Sequence, residues 1–161
     1  MVSIVEFHQK DKESVVALIQ SLQDHIAVLD PLKLNKHGPA FLATQYVEYL
    51  IDRTVRENGI MYIAEEEGRV IGCIGGIVHT VQGDLETYET RDGRIMDLVV
   101  SPNYRGKQVG KKLMLAMEEH FKSSHCDFVR VECFGYNKNA HMFYEKCGYH
   151  DRSIEMIKKL Q

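Results

Sequence analysis

The stretch that most restricts the fold is Arg94–Leu113, RIMDLVVSPNYRGKQVGKKL. Arg94–Val100 is strongly apolar and reads as a strand covered on both faces. Val109, Leu113, Ala116, Met117 and Phe121 then recur at helical spacing and form one apolar stripe. A buried strand that feeds into an amphipathic helix requires a sheet with helices packed on its faces. The turn between them also has a chemical property. The first turn of a helix leaves four backbone N–H groups free, and the macrodipole adds partial positive charge. Arg105, Lys107, Lys111 and Lys112 add formal charge there, and Gly106 and Gly110 permit close approach of the backbone to a ligand. The run is therefore shaped to hold an anion.

The rest of the chain supplies the other layers. Val2–Phe7 is rich in β-branched residues and reads as a strand. Asp11 can cap a helix carrying Val15, Leu18, Ile19 and Leu22 on one face. The next segment, His25–Pro39, holds two prolines and a glycine and reads as a long loop. A second helix fits Phe41–Arg56, with Val47, Leu50, Ile51 and Val55 as its apolar face. Ile60–Glu65 and Val70–Val81 form a hairpin turning at Glu67-Gly68, and Gln82–Gly93 is polar. Cys126–Phe134 is a further strand, Lys138–Lys146 a short helix ended by Gly148, and Ser153–Leu160 a closing strand. The order β-α-α-β-β-β-α-β-α-β predicts a mixed α/β (α+β) sheet within one domain, residues 1–161.

Composition removes several functional classes. A formal charge of −3 argues against a dedicated nucleic-acid binder. No apolar run approaches the roughly 20 residues of a membrane span, and no signal-peptide pattern opens the chain. The four cysteines form no C-x-x-C pair, and no two of the eight histidines are four residues apart, so no metal site is expected. Reduced thiols fit a cytoplasmic protein.

The anion loop is not of the ATP type, because Gly106 and Gly110 are one residue too close and Lys112 stands where a hydroxyl would bind metal. Arg105-Gly106-Lys107-Gln108-Val109-Gly110 instead resembles the pyrophosphate loop of the GNAT superfamily of acyl-CoA-dependent N-acyltransferases, Gln/Arg-x-x-Gly-x-Gly/Ala. Gln108 replaces the first glycine, which implies a backbone that has no need of positive φ at that point. A second segment, NKNAHMFYEKCGY, matches the C-terminal signature of the same family at Asn137, Ala140, Tyr144, Gly148 and Tyr149. One helix and one strand separate the two motifs, as in the family. Together the resemblance covers about residues 94–149.

The resemblance implies a mostly antiparallel sheet with splayed central strands and helices on both faces. It implies acetyl-CoA as cofactor, its pantetheine arm paired with the backbone of Leu98 and Val100, with Val99 between them also among the cofactor-binding residues. The N–H groups from Gln108 to Lys111, through Val109 and Gly110, would hold the pyrophosphate, and Arg105, Gly106 and Lys107 complete the cofactor-binding loop. Tyr144 occupies the usual acid position and would protonate the departing thiolate; its other reading is an aromatic that packs the short helix. Asn137 would bond the cofactor or a water, or else cap that helix. Asp97 is the first candidate for the base, since burying it without partner or function is costly, and Glu132 is the second. For both, an ion pair with Arg94 or Arg130 is the alternative. His79 and Tyr88 are candidates for the acceptor side.

The implied activity is acetyl transfer to a primary amine, with a small molecule favoured. Transfer of another acyl group, a protein amine as acceptor, or a silent acyl-CoA sensor stay open. Acceptor choice would lie in residues 24–40, the second helix and the acidic Gln82–Gly93 segment. The edge left by long apolar strands favours a homodimer.

Overall fold

The computed structural model describes residues 1–160. Five strands make one sheet in the order β1 (Ser3–Glu6), β2 (Ile60–Glu66), β3 (Arg69–Val81), β4 (Thr90–Val100), β5 (Phe128–Val131). All neighbours are antiparallel except β4 and β5, which run parallel. Helices α1 (Lys12–Leu29) and α2 (Ala43–Arg56) cover one face, and α3 (Val109–Ser123) covers the other. The short α4 (Lys138–Lys146) follows β5 and packs Phe143 and Tyr144 against the α3-side core. The result is a single α+β domain with a mostly antiparallel sheet. No described helix is long and apolar enough to cross a membrane.

Each face of the sheet has its own core. Val15, Ile19, Val47 and Leu50 pack on Met61, Ile63, Cys73 and Val99. On the opposite face the α3 stripe packs on Ile71, Ile74, Val78 and Ile95. Ile95 and Val99 are four residues apart on one strand, so simple alternation would put them on the same face. They lie on opposite faces because a bulge intervenes: Gly75 pairs with Asp97, Gly76 pairs with Ile95, and Met96 is the extra residue. Downstream of the bulge Asp97 and Val99 turn to the α1–α2 side, while Leu98 and Val100 turn to the α3 side.

Most expected elements are present, with five differences. Helix α1 continues to Leu29, taking the first part of the expected loop, because Ile26 to Leu29 extend it before Pro31 can interfere. The buried face of α2 is Ala43, Val47, Leu50 and Thr54, so the stripe is rotated and Val55 is 78 % exposed. Strand β4 begins at Thr90, since β3 is long enough to pair residues 90–93. Strand β5 is shorter than Cys126–Phe134, because β4 diverges beyond Val131. The closing strand expected at Ser153–Leu160 is not formed: these residues have no regular structure and are exposed, with no edge of their own chain paired to them.

Helix α3 approaches the sheet unusually closely through Phe121. A Cβ at Gly93 would lie 2.3 Å from Phe121 Cγ, and one at Gly76 would lie 2.6 Å from Phe121 Cζ. The ring is fully buried and its near atoms cannot swing aside. Gly93→Ala should therefore lower the urea midpoint by an amount equal to about 1–3 kcal/mol, the usual cost of overpacking. An unchanged midpoint would mean that α3 can move away from the sheet at little cost.

Candidate active site

The site forms where β4 and β5 part. Their ladder runs from Asp92↔Phe128 to Ile95↔Val131 and stops immediately before the bulge at Met96. Beyond it, the side of β4 that faces away from β3 has no strand against it. Ser101 N–H donates to the Ile71 carbonyl at 2.8 Å, which fixes the alternation of the preceding residues. Val99 therefore turns its amide and carbonyl toward β3, while Leu98 and Val100 turn theirs into the gap. The Val100 carbonyl accepts a bond from Arg105 Nε at 3.2 Å, tying the loop to this free edge. Leu98 and Val100, the two residues expected to present backbone to a cofactor, thus face the gap, and Val99 between them faces the other way.

The loop meets α3 at the mouth of the gap. Gly106 has φ +74 with open space around it, so glycine is there for its backbone freedom. Gln108, the residue before α3, has φ 62 and ψ 9, the left-handed conformation. This overturns the expectation that the glutamine signals an ordinary backbone: the loop keeps the turn its glycine-bearing pattern needs, at a cost of about 1–2 kcal/mol for an L side chain. Gly110 lies against α4, where an added Cβ would be 3.2 Å from Phe143 Cζ. The first amide of the helix region to find a backbone acceptor is Lys112, donating to Gln108 O at 3.1 Å. No well-aligned backbone or side-chain acceptor engages the amides of residues 106–111, which lie in and just after the turn at residues 105–108, and Gln108 makes no side-chain cap. Lys107 Nζ sits 5.0 Å over the Tyr104 ring, beside these donors.

The ionisable groups stand on the two sides of the gap. Asp97, turned by the bulge, accepts a hydrogen bond from the Tyr46 hydroxyl of α2 at 2.9 Å. Burial pushes its carboxyl up to about 6, and the Tyr46 bond opposes that shift. Tyr46 itself is held above the ordinary phenol range, first by burial and then by the Asp97 charge. Tyr144, on α4, is also raised above its usual value, by burial first and then by Cys133, Asp97 and Cys147. Its hydroxyl makes no hydrogen bond within the described protein and is not sealed from solvent. The aromatic packing of Tyr144 is equally real, with its ring 6.0 Å from that of Tyr149.

The remaining candidates separate. Asn137 caps α4, its Oδ1 accepting from Ala140 N–H at 3.2 Å. Glu132 lies just past β5 and is exposed, without an ion pair among the described residues. The ion pairs anticipated for Asp97 and Glu132 are not formed: Arg130 bonds the fully buried Asp92, and Arg94 Nε is buried without a partner. His79 is half-buried opposite Asp92 on the ladder, and Tyr88 is 93 % exposed. Sequence reasoning missed Tyr46. Its signal was spacing: Tyr46 precedes Val47 and lies four residues before Leu50, within reach of the true buried stripe. Among the described residues no three His, Cys, Asp or Glu side chains gather to hold a metal.

Comparison with known proteins agrees with this geometry. The sequence model of the Acetyltransferase (GNAT) family matches residues 29–149. The chain is 46 % identical over 102 residues to glucosamine 6-phosphate N-acetyltransferase of Arabidopsis thaliana. That match covers 63 % of this chain and 65 % of the plant enzyme, so the chain spans a little under two thirds of that relative's length. It is 23 % identical over 153 residues to thialysine N-epsilon-acetyltransferase of Bos taurus, covering 93 % of this chain and 85 % of that one. A crystal structure of a mutant protein from Bacillus halodurans superposes with a TM-score of 0.86 at 17 % identity, covering 99 % of each chain, which shows the shared fold.

The left-handed Gln108 yields a direct test. Its side chain caps nothing, so Gln108→Gly should relieve backbone strain and raise stability by about 1 kcal/mol in urea unfolding, after the entropic cost of glycine. A loss of stability would show that the glutamine side chain holds the turn.

Proposed function

The chain belongs to the acetyltransferase (GNAT) family, and from that premise we propose that it transfers an acetyl group from acetyl-CoA to the primary amine of a small molecule. The observation that carries this reading is the run of unengaged amides at residues 106–111 beside the unpaired edge of β4. A diphosphate fits those donors, because several N–H groups at a helix N-terminus stabilise negative charge. An extended amide-bearing arm fits the Leu98 edge by strand addition. When bound, acetyl-CoA supplies a thioester whose carbonyl carbon accepts the amine.

This chain's residues then handle protons and charge. The Leu98 N–H, turned into the gap, is positioned to polarise the thioester carbonyl. An acceptor amine with a pKa of about 10.4 is mostly protonated near neutrality and has to lose a proton before attack. Asp97 takes that proton through water. Its raised pKa makes it a stronger base than an exposed aspartate, while it remains mostly ionised at pH 7. Tyr144 stays protonated across the working range and donates to the departing sulfur. Two named relatives act on amine-bearing small molecules, glucosamine 6-phosphate and thialysine, which supports a small acceptor. Asp97 is the better-supported base, because the Tyr46 hydroxyl holds it in place, whereas Glu132 is exposed and makes no ion pair among the described residues. The four unpaired cysteines are consistent with a reducing, cytoplasmic setting.

Two measurements check these roles. Tyr144→Phe should lower kcat by about 10²-fold or more, the usual scale of general acid catalysis, with little change in acetyl-CoA affinity. Full activity in that variant would remove the acid assignment. Because Asp97 must be ionised to act, kcat/KM should fall as pH drops through about 6. Removing the Tyr46 bond removes a group that lowers that pKa, so Tyr46→Phe should move this limb to higher pH. A limb at the same pH in both proteins would exclude Asp97 as the group responsible. If thiol release is absent with every amine tested while acetyl-CoA still raises the Tm, the chain is a binder and the catalytic reading fails.

A further inference from the structure

Arg94 is a cation whose charge the protein leaves unmatched. It stands on β4 between Gly93, whose added Cβ would strike Phe121 of α3, and Ile95, which packs into the α3-side core. Alternation therefore turns Arg94 to the opposite face, the one that carries Asp97 and Tyr46. Its cross-strand neighbour on β5 is Arg130, which lies between Val129 and Val131 of the α3-side core and so turns the same way. Two guanidinium groups side by side repel. One carboxylate serves the pair: Asp92 bonds Arg130 Nε through Oδ2, and its Oδ1 is buried without a partner. The Arg94 side chain makes no hydrogen bond or ion pair among the described residues. Its Nε is buried, while its terminal nitrogens keep contact with solvent and can be reached by a ligand.

The carboxylates that might have served are committed elsewhere. Asp97 accepts from Tyr46, and Glu57 at the end of α2 is paired with Arg53. A half-buried guanidinium with an unsatisfied nitrogen is costly, and such a group marks a place where something outside the chain completes the bonding. Water can satisfy the nitrogen but leaves the charge unmatched; an anion satisfies both. Location gives this charge a use. Arg94↔Arg130 is the rung before Ile95↔Val131, where the β4–β5 ladder ends and the gap begins. Asp97 follows on the same face, past the bulged Met96. The separation along the strand is roughly 7–10 Å, at about 3.3 Å per residue and less through a bulge.

We propose that Arg94 binds an anionic group on the acceptor substrate, which is then a primary amine carrying a phosphate or carboxylate at the far end of a molecule of sugar or amino-acid size. The amine lies toward Asp97 in the open gap, and the anion lies against the guanidinium at its root. The planar fork of guanidinium donors suits the oxygens of either anion, and the half-buried setting makes such a bond stronger than on the surface. The same charge disfavours acceptors that are cationic at both ends, such as diamines. The inference rests on the acetyl-transfer reading and names which amines that reaction takes.

Matched amines test this on the full chain with acetyl-CoA. The phosphate pair is 5-aminopentyl phosphate against 5-aminopentanol, and the carboxylate pair is 6-aminohexanoate against 6-aminohexanamide. The expected kcat/KM is roughly tenfold or more higher for an anionic amine than for its neutral counterpart, the scale of one hydrogen bond to a charged group. The pair with the larger preference tells phosphate from carboxylate. Arg94→Gln should erase the preference, mainly through the KM of the amine, and Arg94→Lys should restore much of it. Nitrogen-15 NMR of the arginine Nε–H groups reads the same site without turnover: the Arg94 signal should shift saturably with the anionic amines and stay in place with the neutral ones. Turnover without preference in either pair overturns the proposal, and so does a preference that survives Arg94→Gln or an Arg94 signal that neither anionic amine moves. If no amine is acetylated while the Arg94 signal still shifts, the acetyl-transfer reading fails and the anion site stands. The wild-type preference and signal decide the matter even if Arg94→Gln fails to fold.

Discussion

The bulge at Met96 is the constraint on which the rest of the molecule depends. By inserting one residue opposite the Gly75–Gly76 step, it flips the parity of β4. The strand can then serve both cores, Ile95 on the α3 side and Val99 on the α1–α2 side. The same kink is where β5 stops following β4, so the gap opens beside it. It also turns Asp97 toward Tyr46, and Leu98 and Val100 toward the free edge. Sheet closure, cleft and carboxylate position have one local cause.

Asp97 carries a stability cost where it stands. Burial raises its folded pKa to about 6 against an ordinary value of 3.8. The folded state therefore binds this proton more tightly than the unfolded state. Stability is lost as pH rises from about 4 to about 6, the reverse of a salt-bridged aspartate. The Tyr46 hydroxyl recovers part of that loss, and so it belongs to the site although it lies on another element. Gln108 shows the same pattern in the backbone, holding a strained turn so that the amides behind it stay free.

Much of this is legible in the sequence. The alternation and glycine punctuation of residues 60–81 gave the hairpin, whose Glu67-Gly68 turn has φ 51 and 74. The stripe of α3 was legible because all its apolar positions face one packed sheet. The α2 face was misread because Val55 fits the period yet points to solvent, while Thr54 is buried. The parity change in β4 left no mark in the sequence, since bulges are set by pairing between strands far apart in the chain. Hence Asp97 could be named but its partner could not. Ser153–Leu160 has the pattern of a strand, yet it pairs with no edge of the sheet.

The central claim is that the amides before α3 and the free edge of β4 form one binding surface for a diphosphate and its extended arm. Amide NMR during titration with coenzyme A addresses it most directly. The account predicts large shifts at residues 108–111 and at Leu98, with Val99, whose amide faces β3, changing far less. Saturable binding that leaves those amides unmoved, or that shifts Val99 as strongly as Leu98, would contradict it.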